Sequence, residues 1–268
     1  NVIGKNDTTY TSNPQLDGMS TFKIDTSLPL FRSKNMIKET LTPKISLRIN
    51  PANNMDDFSQ SSANINANNV FDINRLSISN DFEAGRSFTF GLDYKYDPLL
   101  ENSSENNNNN LSEDIKEKYL EIKLATVVRD QYENDIPLNS TLNRKNSDLF
   151  GSIHNTLFDN IDFLYEFSLD NDMKTLNSNT IETEISINNF VTSFNFIEQR
   201  NEIGSTHLLS NTTEYKIDDN KSFKFSTRRN KKINLTEYYD LSYEYKNDCL
   251  TAAIKFNKSF YQDKDLKP

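Results

Sequence analysis

Tryptophan is absent from this chain, and cysteine occurs once. A lone cysteine excludes an internal disulfide framework. No run of about 18 apolar residues exists, so no transmembrane helix is expected. Glycine (6) and proline (7) are sparse, and only 35% of the 268 residues are hydrophobic. Soluble domains usually carry about 45–50% apolar residues when glycine is counted. Such a deficit, with a mean hydropathy of −0.74, argues against one large core and raises disorder as the first reading. Positive charge is also short: 30 Lys and Arg stand against 39 Asp and Glu, a net charge of −9. That balance argues against a nucleic-acid partner. No basic segment followed by an apolar stretch opens the chain, and residue 1 is Asn1. The chain is therefore expected to be processed or a fragment.

What is present contradicts disorder. There are 18 Phe and 12 Tyr, and disordered chains rarely carry so many aromatics. They recur with a period of two. Phe88, Phe90, Leu92, Tyr94 and Tyr96 alternate with Thr89, Gly91, Asp93 and Lys95. Ile161, Phe163, Tyr165, Phe167 and Leu169 repeat the pattern, as do Tyr239, Leu241, Tyr243 and Tyr245, then Leu250, Ala252, Ile254 and Phe256. Alternate side chains of a strand point to opposite faces. About twelve strands follow, near 19–30, 37–49, 86–96, 117–127, 149–157, 161–169, 180–188, 190–198, 207–217, 221–229, 237–246 and 249–257. No segment shows a period of 3.6, though Glu113–Lys118 could form one helical turn. The 38 Asn residues fit an AT-rich genome, which raises Asn, Lys and Ile and lowers Gly and Pro.

The connections alternate in length. Short turns are expected at Asp159–Asn160, Asn188–Asn189, Asp218–Lys221 and Lys246–Asp248, where Asn and Asp tolerate the turn backbone. Longer polar loops fall at Arg129–Asp148, Asn171–Asn179, Gln199–Thr206 and Asn230–Thr236. Asp97–Lys116, with its run Asn106–Asn110, is long where a short turn is due and reads as a flexible insertion.

Two solvents could meet the apolar face. In a soluble sandwich two such faces pack together. In a membrane barrel the apolar face meets lipid and the polar face lines a lumen. Three features favour the barrel. The strands have the roughly 9–11 residues of a tilted transmembrane strand. Aromatics gather toward strand ends, as in Tyr94/Tyr96, Phe223/Phe225 and Tyr243/Tyr245. The polar face carries charges of both signs: Lys44, Arg48, Asp93, Lys95, Glu121, Lys123, Glu182, Glu184, Lys224, Arg228, Glu244 and Lys255. The missing Trp counts against it, because Trp is a usual interfacial residue. The fold expected is all-β: an antiparallel transmembrane barrel, in which 1–268 is part of one barrel domain.

Catalytic chemistry is hard to find. His154 and His207 have no His, Cys or carboxylate at helical metal-ligand spacing. No Ser has a nucleophile-elbow context, and no phosphate-binding glycine loop occurs. Glu182 and Glu184 share a strand face, where a solvated face explains them better than acid/base work. No catalytic residue, cofactor or metal is expected.

Tyr238–Pro268 resembles the end of the outer-membrane LPS-assembly protein, the LptD or organic-solvent-tolerance family, in its alphaproteobacterial form. Supporting stretches follow the family's order: Leu41–Arg48, Phe71–Leu76, Phe167–Leu176, Asn188–Asn195 and Ser226–Lys232. The resemblance implies a large barrel behind a periplasmic jelly-roll domain. It makes this chain roughly the C-terminal half, with the last strand and both gate strands beyond it. It implies a translocon subunit that inserts lipopolysaccharide into the outer leaflet of a Gram-negative outer membrane, and no enzyme. Implied partners are lipopolysaccharide, a plug lipoprotein (LptE-like) and a periplasmic bridge protein (LptA-like) docked on the N-terminal domain. The resemblance also marks Cys249, at the opening of the penultimate strand, as a candidate for a disulfide with that domain. Rival readings are a porin or TonB-dependent transporter, a soluble β-sandwich adhesin and, more remotely, an outer-membrane lipase.

Overall fold

A computed structural model describes residues 5–6, 9–10, 20–51, 57–78, 82–98, 117–201 and 204–260. A two-stranded hairpin, β1 (Lys5–Asn6) with β2 (Thr9–Tyr10), stands apart from one 13-stranded antiparallel sheet. That sheet comprises β3 (Phe22–Ser27), β4 (Leu30–Lys34), β5 (Ile37–Asn50), β6 (Gly85–Pro98), β7 (Leu120–Arg129), β8 (Leu149–Phe158), β9 (Ile161–Leu169), β10 (Leu176–Ile187), β11 (Phe190–Asn201), β12 (Gly204–Asp218), β13 (Lys221–Asn230), β14 (Leu235–Lys246) and β15 (Thr251–Ser259). Each strand from β5 onward pairs with its sequence neighbours, so the sheet is a meander. Among the described residues it does not close: β15 forms one edge, and β3 with β4 forms the other. The expected all-β architecture of a partial barrel is therefore present.

All twelve expected strands are found, and one is divided. The segment read as 19–30 ends at Ser27, and a separate β4 follows, so that β3 and β4 pair end to end along β5. Two prolines explain the break. Pro43 of β5 accepts a hydrogen bond from the Leu28 N–H at 3.1 Å. It has no N–H to return, so reciprocal pairing fails there, and Pro29 adds a second missing donor. Several strands run further than expected. β11 continues to Asn201 and β12 begins at Gly204, so both strands run into the segment read as the loop Gln199–Thr206. Polar residues such as Glu198 and Arg200 carry no apolar alternation, although their backbones pair.

The register puts the apolar residues on one face. Across successive strands Ile45, Phe90 and Thr126 align, as do Leu41, Tyr94, Ile122, Ile153, Tyr165 and Ile181. This face is uncovered: Phe88 is 47% exposed, Phe90 45% and Ile254 75%. An apolar sheet face of this extent in water would be a large liability; in lipid it is the expected surface. Toward the end of the sheet that carries the short turns, Phe190, Tyr215, Phe223, Tyr243 and Ile254 form one continuous row over five strands. Asn35 and Met36 make the β4–β5 turn with φ of 52° and 60°, and Asn188 opens the β10–β11 turn with φ of 50°, the backbone sense that matches strand twist in tight hairpins. β6 ends and β7 begins at this same end; the insertion expected between them, apart from Asp97 and Pro98 of β6, lies outside the described residues.

The opposite, polar face is not simply open. Over β5–β8 it is covered by the two long connections from the loop end, the first described over 57–78 and 82–84 and the second over 130–148, which fold back upon it. Ala63, Ile65, Ala67, Val70, Leu76, Ile78 and Ala84 from the first meet Ile136 and Leu142 from the second, with Ala125, Val127 and Phe150 of the sheet beneath. The two connections are tied together by Phe58 N–H to Asp135 O at 2.9 Å and Leu138 N–H to Ser59 O at 3.2 Å. The second also returns alongside β7, through Arg129 N–H to Lys145 O at 2.7 Å and Ser147 N–H to Val127 O at 2.9 Å. Gly91 of β6 allows the close approach this needs. A Cβ there would stand 2.6 Å from the ring of Phe71.

Candidate functional site

All twelve charged residues expected on the polar face lie on it. Cross-strand register places them in rows, such as Lys95, Glu121, His154, Leu164, Glu182, Asn195, Ser210 and Arg228. Opposite charges meet within and between strands. Lys44 reaches Asp93 at 2.5 Å and Lys123 reaches Glu121 at 2.8 Å. Asn68, from the inward connection, accepts from Lys123 at 2.9 Å and donates to Glu166 at 3.0 Å. Glu182 accepts from Asn195 at 2.7 Å, while Glu184 faces Ser193 at 3.5 Å. These two carboxylates, paired on one strand face, are thus ordinary members of a polar lattice.

The strongest electrostatic feature was not anticipated as a unit. Arg48, Arg75 and Arg129 converge on Glu83, and all four residues are at most 4% exposed. Arg75 grips Glu83 with both arms of its fork, Nε to Oε2 at 2.7 Å and Nη2 to Oε1 at 2.5 Å. It also donates to Thr89 and Ser87 of β6, each at 3.0 Å. Arg129 Nη1 donates to the same carboxylate and its Nη2 to Ala84 O. Arg48 donates to the carbonyls of Asp72 and Ile73. Burial alone would raise the Glu83 carboxyl; the guanidiniums of Arg75, Arg129 and Arg48 more than offset it and hold it at about 2. The cluster is a charged clip between the inward connection and β5–β7. In sequence, Arg75 and Glu83 look like two solvated loop charges, and nothing in their spacing reveals the clip.

His154 lies on this face. Its Nδ1 meets the Tyr119 hydroxyl and its Nε2 meets Asp162 Oδ1, both at 2.9 Å. Burial, and then the charges of Glu121, Asp162 and Glu117, raise the Tyr119 phenol. It therefore keeps its proton. His207 sits on the other face, 3.1 Å from Glu198 Oε1, which Arg200 also engages at 2.7 Å. The two histidines are thus far apart in role and position. Among the described residues, no group of three or more His, Cys, Asp and Glu is placed to hold a metal ion. Cys249 is exposed and unbridged among the described residues. It lies in the β14–β15 turn, where its N–H donates to Asn247 Oδ1 at 3.0 Å, two residues before β15 begins rather than within that strand.

At the loop end, between the inward connections and β8–β12, lies a cavity of 520 Å³. Ile65 and Phe150 give it an apolar wall; Asp148, Arg144 and Lys232 give it charge.

Comparison with protein families gives one match. The family model of LptD, LPS transport system D, matches residues 4–220. No curated protein matches the chain. The C-terminal stretch from Tyr238, which carried much of the sequence resemblance, lies beyond the matched residues.

Proposed function

Because this chain belongs to the LptD family, the LPS transport system of the outer membrane, we propose that it is barrel wall of the translocon subunit that inserts lipopolysaccharide into the outer leaflet. The observation that supports this reading is the division of one sheet between two solvents. One face is a continuous apolar surface with a row of aromatics at its turn end; the other is a lattice of paired charges. Lipopolysaccharide is divided in the same way, with acyl chains and a polar sugar-phosphate head. A wall of this kind guides the head along hydrated charge while the chains remain near lipid, with no bond made or broken.

The same reading assigns partners. The polar face over β10–β15, which the described connections leave uncovered, is the surface for a lumen-seated lipoprotein of the LptE kind. A periplasmic bridge protein of the LptA kind would dock on an N-terminal domain. On this reading Cys249, in a turn at the short-turn end, would bond a cysteine of that periplasmic domain, since turns of this kind face the periplasm in outer-membrane barrels.

Depletion of the full-length protein tests the proposal. Newly made lipopolysaccharide should stop reaching the cell surface, read by surface labelling or protease-independent modification of its lipid anchor. Normal arrival at the surface in depleted cells would overturn it. The barrel component is checked separately: the protein should resist carbonate and high salt and require detergent for extraction.

A further inference from the structure

The apolar face ends in two different ways. At the turn end its row over β11–β15, Phe190, Tyr215, Phe223, Tyr243 and Ile254, carries no charge. At the loop end of β11–β13 the same face ends in ionisable groups. Glu198 pairs with His207. Leu208 pairs with Asn230, so Lys231 comes next, opposite His207, and its N–H donates to the His207 carbonyl at 2.7 Å. Arg229 stands opposite Leu209, one step nearer the middle of the face. Phe190 and Glu198, Tyr215 and His207, and Phe223 and Lys231 are each eight residues apart, about 26 Å along a strand. A strand tilt of about 35–45° makes that roughly 20 Å of height, most of an apolar band of about 25 Å. The two rows therefore stand near opposite membrane interfaces.

The loop-end group is unbalanced. Among the described residues of this rim, Arg200, Arg229 and Lys231 stand against one carboxylate, Glu198. Glu198 meets Arg200 at 2.7 Å and His207 at 3.1 Å, and it accepts from Asn179 at 3.0 Å. The other two cations meet no carboxylate. Arg229 Nη2 donates to the Asn234 amide oxygen, and Lys231 Nζ lies 5.8 Å from the centre of the Phe196 ring. All three cations are exposed, and none of these contacts exhausts their donors. Toward the middle of the sheet the surface turns apolar at once, with Phe196 paired to Leu209 and Phe194 beyond it, 44% exposed. An apolar surface capped by net positive charge matches an amphiphile with an anionic head. A neutral or zwitterionic head would leave the excess charge uncompensated.

We propose that the loop-end rim of β11–β13 binds, from the lipid side, the phosphates of lipopolysaccharide already delivered to the outer leaflet. Arg229, Lys231 and Arg200 face the phosphates, and acyl chains lie against Phe196 and Leu209. The proposal rests on the transport reading, which puts the loop end at the outer leaflet and makes this lipid the anionic amphiphile there. It adds a receiving surface on the outside of the wall, separate from the polar face along which the head travels.

The test uses full-length protein purified in detergent with the partners that copurify, and three probes: lipid A with its phosphates, lipid A with the phosphates removed, and phosphatidylglycerol. Bound lipid is counted by native mass spectrometry over a titration. Phosphorylated lipid A should bind most tightly. A cation beside an anionic head is worth about fivefold. R229A with K231A should therefore weaken phosphorylated lipid A about 25-fold and leave the dephosphorylated form unchanged. R229K with K231R keeps both charges and should retain binding. E198Q removes the opposing carboxylate and releases Arg200, so it should tighten the phosphorylated form about fivefold or more; it decides the matter if R229A with K231A does not fold. Equal binding of the two lipid A forms, or binding unchanged in R229A with K231A, would overturn the proposal. So would phosphatidylglycerol held as tightly as phosphorylated lipid A, which assigns the rim to an anionic phospholipid instead. If the rim fails while depletion of the protein still stops lipopolysaccharide from reaching the cell surface, only the receiving surface is lost; if depletion has no effect, the transport reading itself has failed.

Discussion

Glu83 is the point at which the inward connection 57–84 can be released without touching the lipid-facing surface. The perturbation is E83Q, which preserves size but removes the only carboxylate among three guanidiniums, all buried. Its amide nitrogen is a donor and cannot accept from Arg75 Nε or Nη2, which Glu83 now serves at 2.7 and 2.5 Å. The clip would change from a formal charge of +2 to +3 with no gain of solvent. Breaking one partner of a buried ion pair costs about 3–5 kcal/mol. At about 1.4 kcal/mol per tenfold, that raises the open population of the connection by roughly 10²-fold to several thousandfold. The assay is amide hydrogen exchange on protein in detergent. Val70 and Ser77, whose amides bond Asn66 O and Asn74 O within the connection at 3.1 Å each, should lose protection by that factor. Amides of β11–β13 should not change. Protection altered by less than about threefold would refute the assignment of the clip, since that falls below the smallest cost expected of a broken buried pair. A companion variant, E83Q with R75M, returns the charge to +2 and should recover part of the loss. The pH dependence has a definite sign. The folded carboxyl sits at about 2, below its ordinary 4.5. The stabilisation is therefore complete above about pH 4.5 and is lost as pH falls through the folded value.

Three further outcomes are expected. L241R, on the apolar face between Phe225 and Phe256, should cost about 2–4 kcal/mol of barrel stability in liposomes, whereas S242R, one residue along on the polar face, should cost about 0.5 kcal/mol or less; equal costs would sink the facial assignment. G91A should lose about 1–3 kcal/mol by overpacking against Phe71, read as a lowered thermal midpoint, and F71L should suppress the loss; a neutral G91A would show that Phe71 is not seated on β6. Full-length protein run without reductant should show a mobility shift that C249S abolishes, and quantitative maleimide labelling of Cys249 in mature protein would refute the interdomain disulfide.

The sheet was legible because a period of two records which face a residue serves. β14 shows it plainly: Tyr239, Leu241, Tyr243 and Tyr245 fall on one face, and the register confirms their neighbours on β13 and β15. The inward connections were not legible. Ala63, Ile65, Ala67 and Val70 are small apolar residues scattered among Asn, without helical or strand periodicity, and their burial depends on a sheet face distant in sequence. The low apolar share argued against one large core; what exists is a compact one, and it lies inside the polar face. One signal was available. A glycine amid a strand, such as Gly91, marks a close backbone approach, and Phe71 is what approaches. Asp148 gave no signal, because its burial is visible only when Ser168 and Asn177 are placed around it.

The divided edge along β5 has a mechanical meaning. Six residue pairs hold β3 and five hold β4, with a single hydrogen bond from Leu28 to Pro43 between the two blocks. A continuous edge strand peels as one cooperative ladder, so its rupture force is set by the whole length. This one is perforated. Either block can detach while the other stays anchored, so an opening that starts at one rim stops at the prolines, and the sheet can part over half its height without parting altogether.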